Sequence, residues 1–394
     1  MAKVFYLGAP FEVPLPKTAS VSELLKATGN NTGNLLIGSA IKRHLKIDSF
    51  GQGTSMDPKY VEENFDYVII GASNFIYRGF DFSCYADFLE KVRIPCVIIG
   101  LGAQAPSYES NVHIEEIPKG TIRMLKIISE RSKTLGVRGY FTAYLLVKMG
   151  ITNIRVIGCP SMYLTCKPSM KISKKTFDEC HRIAVNGSTN TIKHTIDVEA
   201  ARKVEVLLAN LAYRNGYPYI LQNEIDEMNI VLGQNAEINK SLVRSLMQRY
   251  GLLNVSDADF IRFIKTQMKV FFDVEEWMDF IRSFDFVLGT RFHGCLVALL
   301  NAVPSVVFVH DARVREMCEL LKVPHIDIRQ VREIDLRSLY ESIDLKAFEV
   351  AYSYLYQNYI DFLEENGIEH CLSRFDNNDQ IRIDKGSDCQ QKSL

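Results

Sequence analysis

Residues 288–295 read Leu288-Gly289-Thr290-Arg291-Phe292-His293-Gly294-Cys295, and the rest of the chain is best understood outward from this stretch. An apolar run at 284–288 precedes it and predicts a buried strand, while the run at 296–302 predicts a buried helix that ends before Pro304. The stretch is therefore a turn from a strand into a helix. Such a turn directs the unpaired N–H groups of the first helical turn at whatever lies over the end of the strand.

Two side chains of this turn suit a small-anion site. The planar guanidinium of Arg291 matches a phosphate or a carboxylate, and the imidazole of His293 can exchange a proton near neutral pH. The same pattern also fits a turn in the protein core, with Arg291 in a buried ion pair and His293 hydrogen-bonded to a backbone carbonyl. The residues alone leave both interpretations open.

The second half of the chain alternates strands and helices around this turn. Further strands are predicted at 182–186, 218–224, 269–272 and 305–309, with helices at 196–213, 236–250, 257–265, 274–283 and 312–322. Strands as apolar as these are covered on both faces, which implies a parallel sheet with helices on each side. We expect one Rossmann-like α/β domain over residues 176–345.

The first half of the chain repeats the design. Strands are predicted at 1–8, 66–74, 94–104, 135–138 and 154–158, with helices at 35–45, 120–133 and 140–149. Residues 167–175 are rich in lysine, serine and proline and suit a linker. We expect an N-terminal α/β domain over residues 1–170 that faces the second domain across a cleft.

The last part of the chain has a different character. Residues 346–372 predict a C-terminal amphipathic helix, in which the tyrosines and phenylalanines serve packing. Residues 373–394 are polar, and we expect a disordered tail there.

Polar residues follow the predicted strands of the first half, where ligands of parallel sheets bind. Asn74, Gln104 and Arg138 each lie at the end of such a strand. The Gly/Asn turn at 29–34 places Asn31 and Asn34 at the start of a helix. Amide groups in a turn of this kind can hold an anion or a sugar hydroxyl, or simply cap the helix. Arg138 equally suits an ion pair with a nearby carboxylate.

Composition narrows the possible functions. The 394 residues are 47% hydrophobic and 24% charged, as in a soluble globular protein. The net charge of −1 provides no field for binding nucleic acid or an anionic membrane. No secretory signal and no apolar run of the ~20 residues that span a bilayer is visible, so we expect a cytoplasmic protein without a transmembrane segment.

The cysteines and histidines give no indication of a metal centre. The nine cysteines are scattered without a Cys-x-x-Cys pair, which argues for a reducing compartment and against a disulfide framework. The eight histidines show no His-x-x-x-His spacing, and the His-x-x-Glu at His113 and Glu116 has no third ligand nearby in the sequence. We expect neither a metal nor an organic cofactor.

Three segments of the second half carry a resemblance to a known family. With Gly289-Thr290-Arg291-Phe292-His293-Gly294, residues 298–304 and His310-Asp311-Ala312-Arg313, the chain resembles the polysaccharide pyruvyl transferase family. The family pattern is a strand, Gly-x-Arg-x-His-Gly, an Ala/Leu-rich helix, Gly-or-Ala-Val-Pro and a further strand ending in an acidic turn. Weaker matches at 29–34, 71–74, 100–104 and 137–138 extend it over most of the chain.

The resemblance implies an architecture and a reaction. Members are similar to two-domain, GT-B-like glycosyltransferases, and characterised ones transfer pyruvate from phosphoenolpyruvate to a sugar as a ketal, releasing phosphate. The acceptor sugar belongs to a cell-surface polysaccharide or to its nucleotide-linked or lipid-linked precursor, and the resemblance places the acceptor side of the site in the N-terminal domain, residues 1–170. A lipid-linked acceptor would allow peripheral association with the inner face of the membrane.

The resemblance also implies roles for residues of the donor site. Arg291 and His293 match the family's phosphoenolpyruvate-binding and catalytic pair, Arg138 matches a second donor-binding arginine, and Gly289 and Gly294 belong to the same donor turn. His293 is our candidate for general acid and base, because proton transfer accompanies both protonation of the methylene carbon and attack by the hydroxyl groups.

Further candidates lie at other strand ends and turns. Carboxylates at two predicted strand ends could share the proton transfers, and side-chain amides could contact the acceptor. These acceptor or secondary candidates are Asn31, Asn34, Asn74, Gln104, Glu224 and Asp311.

Two positions depart from the family pattern. Many members have Asn-x-Gly-Asp near the start and Asp-Pro after the strand that follows the Arg138 helix, whereas this chain has Asn31-Thr32-Gly33-Asn34 and Gly158-Cys159-Pro160. Without those carboxylates two other functions stay open. One is a GT-B-type glycosyltransferase or other sugar-modifying enzyme with a nucleotide-sugar donor, and the other is a non-catalytic member of a polysaccharide assembly system.

Overall fold

The computed structural model of the chain describes residues 2–16, 18–110, 112, 114–188, 191–234 and 238–375. Two parallel β-sheets with helices around them form the fold, which confirms the predicted α/β class. The tail predicted to be disordered lies almost entirely outside the described residues, as does His113.

The first sheet is built from the first half of the chain. In chain order its elements are β1 Ala2–Gly8, α1 Val21–Ala27, α2 Asn34–His44, β2 Ile47–Gln52, α3 Pro58–Asn64, β3 Tyr67–Gly71, α4 Ser83–Leu89, β4 Cys96–Ile99, α5 Lys119–Arg131, β5 Leu135–Val137, α6 Tyr140–Lys148 and β6 Ile154–Val156. The strand order is β2-β1-β3-β4, and a bridge between Leu101 and Val137 connects this sheet to the parallel pair β5-β6.

The second sheet is built from the second half of the chain. Its elements are β7 Ile183–Asn186, α7 Val198–Asn215, β8 Tyr219–Ile220, α8 Ile225–Val231, α9 Lys240–Tyr250, α10 Asp257–Gln267, β9 Met268–Lys269, α11 Val274–Ile281, β10 Phe286–Gly289, α12 Phe292–Leu300, β11 Ser305–Val309, α13 Ala312–Leu321, β12 His325–Asp327, α14 Leu336–Glu341 and α15 Lys346–Glu365. The strand order is β12-β11-β10-β7-β8-β9, all parallel. Strand β10 lies at its centre, so the turn after β10 is surrounded by other strand ends.

Several short elements were not predicted from the sequence. They are α1, β2, α3, α4, α8, β12 and α14, none longer than seven residues. Three to seven residues carry too little apolar periodicity to identify a helix or a strand.

The strand predicted at 218–224 is wrong in its second half. Strand β8 ends at Ile220, and Glu224 immediately precedes α8. The carboxylate of Glu224 accepts hydrogen bonds from the backbone N–H groups of Gln222 and Asn223, at 2.9 and 3.1 Å. These N–H groups are therefore turned inward, where they cannot join a neighbouring strand.

The apolar core joins the two halves of the chain. One buried cluster contains Tyr6 and Ile99 of the first sheet together with Val185 and Leu288 of the second. A second cluster fills the other face of the first sheet. The division into domains at 1–170 and 176–345 stays a prediction.

The predicted C-terminal helix is present as α15, which ends at Glu365, and its aromatic residues are buried as expected except Tyr354, which is 72% exposed. It returns to the first half of the chain, because Asn358 donates to the carbonyl of Val156 at 2.6 Å and Asn366 accepts from the N–H of Lys133 at 3.0 Å. None of the described helices is long and apolar enough to cross a lipid bilayer.

His44, the last residue of α2, is enclosed where α15 packs on α2. Its Nδ1 lies 3.1 Å from the hydroxyl of Tyr359, and its Nε2 lies 2.9 Å from the carbonyl oxygen of Tyr163. Burial lowers the pKa of His44 from 6.5 to about 4. Between pH 6.5 and about 4, the unfolded chain therefore binds a proton that the folded chain does not. The free energy of unfolding falls as the pH falls through this range.

We expect His44→Gln to reduce the slope of the unfolding free energy against pH between 6.5 and about 4, because glutamine does not titrate. Urea unfolding at a series of pH values measures this slope. His181→Gln, at an exposed histidine, is the control for the replacement of one imidazole. Equal slopes in all three proteins would contradict the assignment.

Candidate functional site

A cavity of about 820 Å³ lies where the carboxyl ends of the two sheets approach each other. Both halves of the chain contribute to its wall, and many of the contributing residues lie in the segments that follow strands. Residues of the wall include Asn31, Asn34, Asn74, Gln104, Arg138, Lys193, His194, Asn223, Glu224, Arg291, His293 and Arg313. Eight of the predicted site residues are therefore brought together, as expected for the carboxyl edges of parallel sheets.

Arg291 occupies the N-cap position of α12, and residues that follow neighbouring strands hold its side chain. Its Nη2 donates to the hydroxyl of Ser188 at 2.5 Å, to the side-chain oxygen of Asn223 and to Oε1 of Glu224 at 3.3 Å. The Arg291 side chain is 11% exposed, and that of Glu224 is fully buried. The buried ion pair considered from the sequence is thus present, and it fixes a guanidinium that still lines the cavity.

Glu224 is committed to this network through both of its oxygens. Oε1 accepts from Ser188 at 2.5 Å as well as from Arg291, and Oε2 accepts from two backbone N–H groups. The carboxylate therefore orients Arg291 and closes the turn before α8. Its role as an acceptor contact or a proton carrier stays a prediction.

His293, the second residue of α12, is surrounded by segments from the first half of the chain. Its Nε2 lies 3.7 Å from the sulfur of Cys159. On its other side the backbone of Gly33 approaches so closely that a Cβ atom there would lie 2.8 Å from Nδ1. The contact with a backbone carbonyl considered from the sequence is replaced by these two.

A general acid and base is expected to have a pKa near neutral pH, but the surroundings of His293 lower its pKa. Burial is the largest cause that lowers the pKa of His293, and the positive charges of Arg138, Arg313 and Arg291 add to it. Together they hold the pKa well below the ordinary value of 6.5. In the protein without ligands the imidazole is therefore neutral at neutral pH.

Arg138 follows β5 and is 1% exposed as a residue. Its Nε donates to the carbonyl of Gly100 at 2.8 Å and its Nη2 to the carbonyl of Ala72 at 3.2 Å. These carbonyls take the place of the carboxylate partner considered from the sequence. Gly102 lies beside the side chain, and a Cβ atom there would come within 2.9 Å of Cδ of Arg138. The positive charge is thus fixed at the cavity wall.

Besides Arg249 in the last turn of α9, the cavity wall has a further arginine that was not predicted as a site residue, Arg313. It follows β11 in α13, and its Nη2 lies 3.7 Å from the carboxylate of Asp311. Burial lowers its pKa, Asp311 raises it, and the neighbouring charges of Arg138 and Arg291 lower it further. Its position after a strand end, the rule that identified Arg138, was the signal that could have found it.

Within the described part of the chain, Nε of Arg291 and Nε of Arg313 are buried without a hydrogen-bond partner. A buried donor left unsatisfied costs about 1–3 kcal/mol, so the protein alone does not fully satisfy these two guanidinium groups. Five side chains with positive charge and two carboxylates line the cavity. The arrangement can hold a small molecule with several negative charges.

Gly289 and Gly294 lie behind the cavity wall, against Asn186 at the end of β7. A Cβ atom on Gly289 would lie 1.8 Å from the backbone oxygen of Asn186, and one on Gly294 would lie 1.5 Å from its side-chain nitrogen. Both positions therefore exclude a side chain for packing reasons. A direct contact between these glycines and a donor stays a prediction.

The side-chain amides of Asn31 and Asn34 bind the backbone of their own turn, none of the described side chains caps α2, and the contact with an anion or a sugar stays a prediction. Oδ1 of Asn31 accepts from the N–H of Gly33 at 2.9 Å, and Nδ2 of Asn34 donates to the carbonyl of Thr28 at 3.0 Å. The turn thus shapes its own backbone while both residues line the cavity. An aspartate at position 34 could not donate to Thr28, which explains physically why this turn carries an amide.

Asn74, Gln104 and Asp311 form a chain of hydrogen bonds between the two sheets. Asn74 donates to Oε1 of Gln104 at 3.3 Å, and Nε2 of Gln104 donates to Asp311 at 2.9 Å. Asp311 also accepts from the N–H of Val314 at 2.7 Å and caps α13. Burial would raise the pKa of Asp311, but its partners, with His310 and Arg313 foremost, lower it overall. Asp311 therefore serves as a buried bridge beneath the wall.

A metal ion in a protein is held by several histidine, cysteine, aspartate or glutamate side chains that lie close together. Among the residues that the structure describes, no group of three or more histidine, cysteine, aspartate or glutamate side chains is arranged to hold a metal ion. The cavity described above is dominated by arginine, which is not a metal ligand.

The fold and site define an α/β protein with an arginine-rich cavity between the carboxyl edges of two parallel sheets. The model of the family described as polysaccharide pyruvyl transferase matches residues 31–312, which is more than half of the chain. The chain therefore belongs to the polysaccharide pyruvyl transferase family, as the resemblance predicted. None of the curated proteins searched matches it.

Solved structures with a similar fold have low sequence identity. UDP-N-acetylglucosamine 2-epimerase from Rickettsia bellii is 10% identical, with 92% of this chain and 96% of that chain covered and a TM-score of 0.43. The Anabaena protein HepE in complex with UDP and glucose is 10% identical, with coverages of 98% and 100% and a TM-score of 0.40. A functionally uncharacterised Klebsiella pneumoniae protein is 11% identical, with coverages of 82% and 92% and a TM-score of 0.39.

Cys159 provides a test of the surroundings of His293. We expect Cys159→Asp to raise the pKa of His293, because a carboxylate would stand beside Nε2 in place of the thiol. NMR titration of histidine-labelled protein measures the change. Cys159→Asn, of similar shape but without charge, should leave the pKa low. A pKa that is the same in both variants would show that position 159 does not act electrostatically on His293.

Proposed function

We propose that the protein transfers pyruvate from phosphoenolpyruvate to a sugar of a cell-surface polysaccharide or its precursor, forming a ketal and releasing phosphate. The observation that carries the proposal is the convergence of Arg138, Arg291 and Arg313 on one cavity beside His293. Phosphoenolpyruvate bears both a carboxylate and a phosphate, and guanidinium groups bind each of these in a bidentate manner. Membership of the family supports the pyruvyl group as the cargo.

The arginines are held before any donor arrives. Arg291 is fixed by Glu224 and Ser188, and Arg138 is fixed by two carbonyl oxygens. Donor binding therefore requires little reordering of these two side chains, which preserves binding energy. The guanidinium groups of Arg138, Arg291 and Arg313 are the donors we assign to phosphate or carboxylate oxygens.

The proposed reaction joins two hydroxyl oxygens of the acceptor to one carbon. The first hydroxyl oxygen bonds to C2 of phosphoenolpyruvate while C3 takes up a proton and becomes a methyl group. The bond from C2 to the phosphate oxygen then breaks, and the second hydroxyl oxygen bonds to C2. The two hydroxyl groups lose two protons in total. One proton is the equivalent of the proton added at C3, and the other is released with phosphate or to solvent.

Donor binding gives His293 its role in this scheme. The three arginines depress the pKa of His293 in the free protein. The negative charges of phosphoenolpyruvate would offset those arginines, so the pKa of the buried imidazole would rise when the donor is bound. His293 would then take up a proton and act as the general acid and base, a contribution of typically ~10²–10⁴ in rate.

Thermal unfolding with added ligand tests the donor. We expect phosphoenolpyruvate to raise the melting temperature of the wild-type protein and Arg291→Ala to lose most of that increase, because binding to the folded state stabilises it. Arg202→Ala, at an exposed arginine of α7, is the control and should retain it. Stabilisation by nucleotide sugars but not by phosphoenolpyruvate would instead support a glycosyltransferase. Response to neither would support a non-catalytic protein.

Turnover tests His293. We expect His293→Gln to reduce phosphate release by at least about 100-fold while phosphoenolpyruvate still binds. Phosphate release is measured with phosphoenolpyruvate and a panel of methyl and nitrophenyl hexosides, nucleotide sugars and lipid-linked sugars. Calorimetric titration in two buffers of different ionisation enthalpy should detect proton uptake on donor binding in wild type only. Release at the wild-type rate in the variant would refute the catalytic role.

A further inference from the structure

A second, smaller cavity of about 270 Å³ adjoins the arginine cavity, and we call it the side cavity. The two cavities share Gln104, Lys193 and His194 in their walls. The rest of the side cavity is lined mainly by residues that follow β3 and β4, among them Tyr77 and Ser110. A small molecule in the side cavity would therefore reach the arginine cavity past these three shared residues.

The ring of Tyr77 is held in place on several sides. His194 meets it edge-on with ring centroids 5.6 Å apart, and Phe80 does so at 5.3 Å. Gly79 lies so close that a Cβ atom there would come within 2.5 Å of Cε1 of Tyr77. The segment is anchored to the sheet because Gln104 donates its N–H to the carbonyl of Ile76 at 3.0 Å. Tyr77 is thus a fixed aromatic wall.

We propose that the side cavity binds the hexopyranose ring of the acceptor, with the apolar face of the sugar on Tyr77 and the reacting hydroxyls directed past Gln104 and His194. This inference rests on the proposed function. The electron-rich face of an aromatic ring attracts the C–H groups of a sugar, and amide and imidazole groups match its hydroxyls. Small-molecule sites have volumes of roughly 300–1,000 Å³. The side cavity, at about 270 Å³, is close to the lower end of this range, and its size suits one sugar ring.

The charges divide the two cavities between two substrates. Arg138, Arg291 and Arg313 line the arginine cavity but not the side cavity. In the side cavity the positive charge of Arg78 lies 3.9 Å from the carboxylate of Glu116. The arginine cavity therefore attracts a polyanionic donor more strongly than the side cavity does. An uncharged sugar ring gains nothing from that attraction and can occupy the side cavity.

His194 lies at the junction and comes from the other half of the chain. It follows β7 by a few residues, whereas Tyr77 follows β3, so their contact joins the carboxyl edges of the two sheets. Burial lowers the pKa of His194, as does the positive charge of Arg313. A neutral imidazole has one nitrogen that can accept a hydrogen bond from a sugar hydroxyl.

The test separates sugar binding from donor binding. Saturation-transfer NMR is recorded with the methyl pyranosides of glucose, galactose, mannose and N-acetylglucosamine. We expect at least one to receive saturation from wild type, Tyr77→Ala to lose this signal and Tyr77→Phe to keep it. Tyr144→Ala, at a tyrosine that is 55% exposed on α6, is the matched control and should behave as wild type.

Kinetics provides the second readout. With a sugar that wild type uses, Tyr77→Ala should raise the KM for the sugar at least about tenfold and leave the KM for phosphoenolpyruvate within about twofold. The same sugar signal in Tyr77→Ala as in wild type would overturn the inference, as would the absence of any hexoside binding to wild type. Arg291→Ala should show the reverse pattern, with sugar binding kept and donor binding lost. Hexoside binding without phosphate release by wild type would refute the proposed function and leave the sugar site standing.

Discussion

The close packing of Asn186 against the turn after β10 is the constraint on which the site depends. Strands β7 and β10 lie side by side with Asn186 opposite Gly289, and the carbonyl of Asn186 accepts from the N–H of Thr290 at 2.9 Å. Because neither Gly289 nor Gly294 has a side chain, α12 can start directly over the end of β7. That start position directs Arg291 to one side and His293 to the other.

The two residues serve opposite halves of the chain as a result. Arg291 reaches Ser188 and Glu224, which follow strands of the second sheet. His293 lies against Gly33 and Cys159, which belong to the first half. One helical start therefore forms part of the boundary between the two sheets, and a shift of α12 would alter the arginine network and the histidine contacts together.

The sequence was informative where a short local pattern determines the structure. The turn after β10 and the position of Arg138 after β5 both follow from apolar runs that end in small or charged residues. Arg313 also follows β11, but Asp311, two residues earlier, was the residue predicted for the site at this strand end. His194 had no comparable signal, since only tertiary packing brings it to Tyr77.

Carboxylates show most clearly what sequence patterns omit. Glu224 and Asp311 come after strands of the second sheet, as predicted for residues that meet a ligand. The structure shows their oxygens occupied by Ser188, Gln104 and backbone N–H groups, so they support the wall. A sequence identifies a charged residue near a strand end, but it does not count the hydrogen bonds that the residue already makes.

The two departures from the family pattern meet at His293. The turn that ends in Asn34 brings Gly33 against Nδ1, and Cys159 stands beside Nε2 where many members have an aspartate. A carboxylate at position 159 would favour a protonated imidazole, whereas a thiol offers little compensation for the three arginines. On the proposed function, the proton affinity of His293 then depends on the negative charge of the bound donor. Catalysis would be coupled to donor occupancy, because an empty site leaves His293 without the proton that the reaction requires.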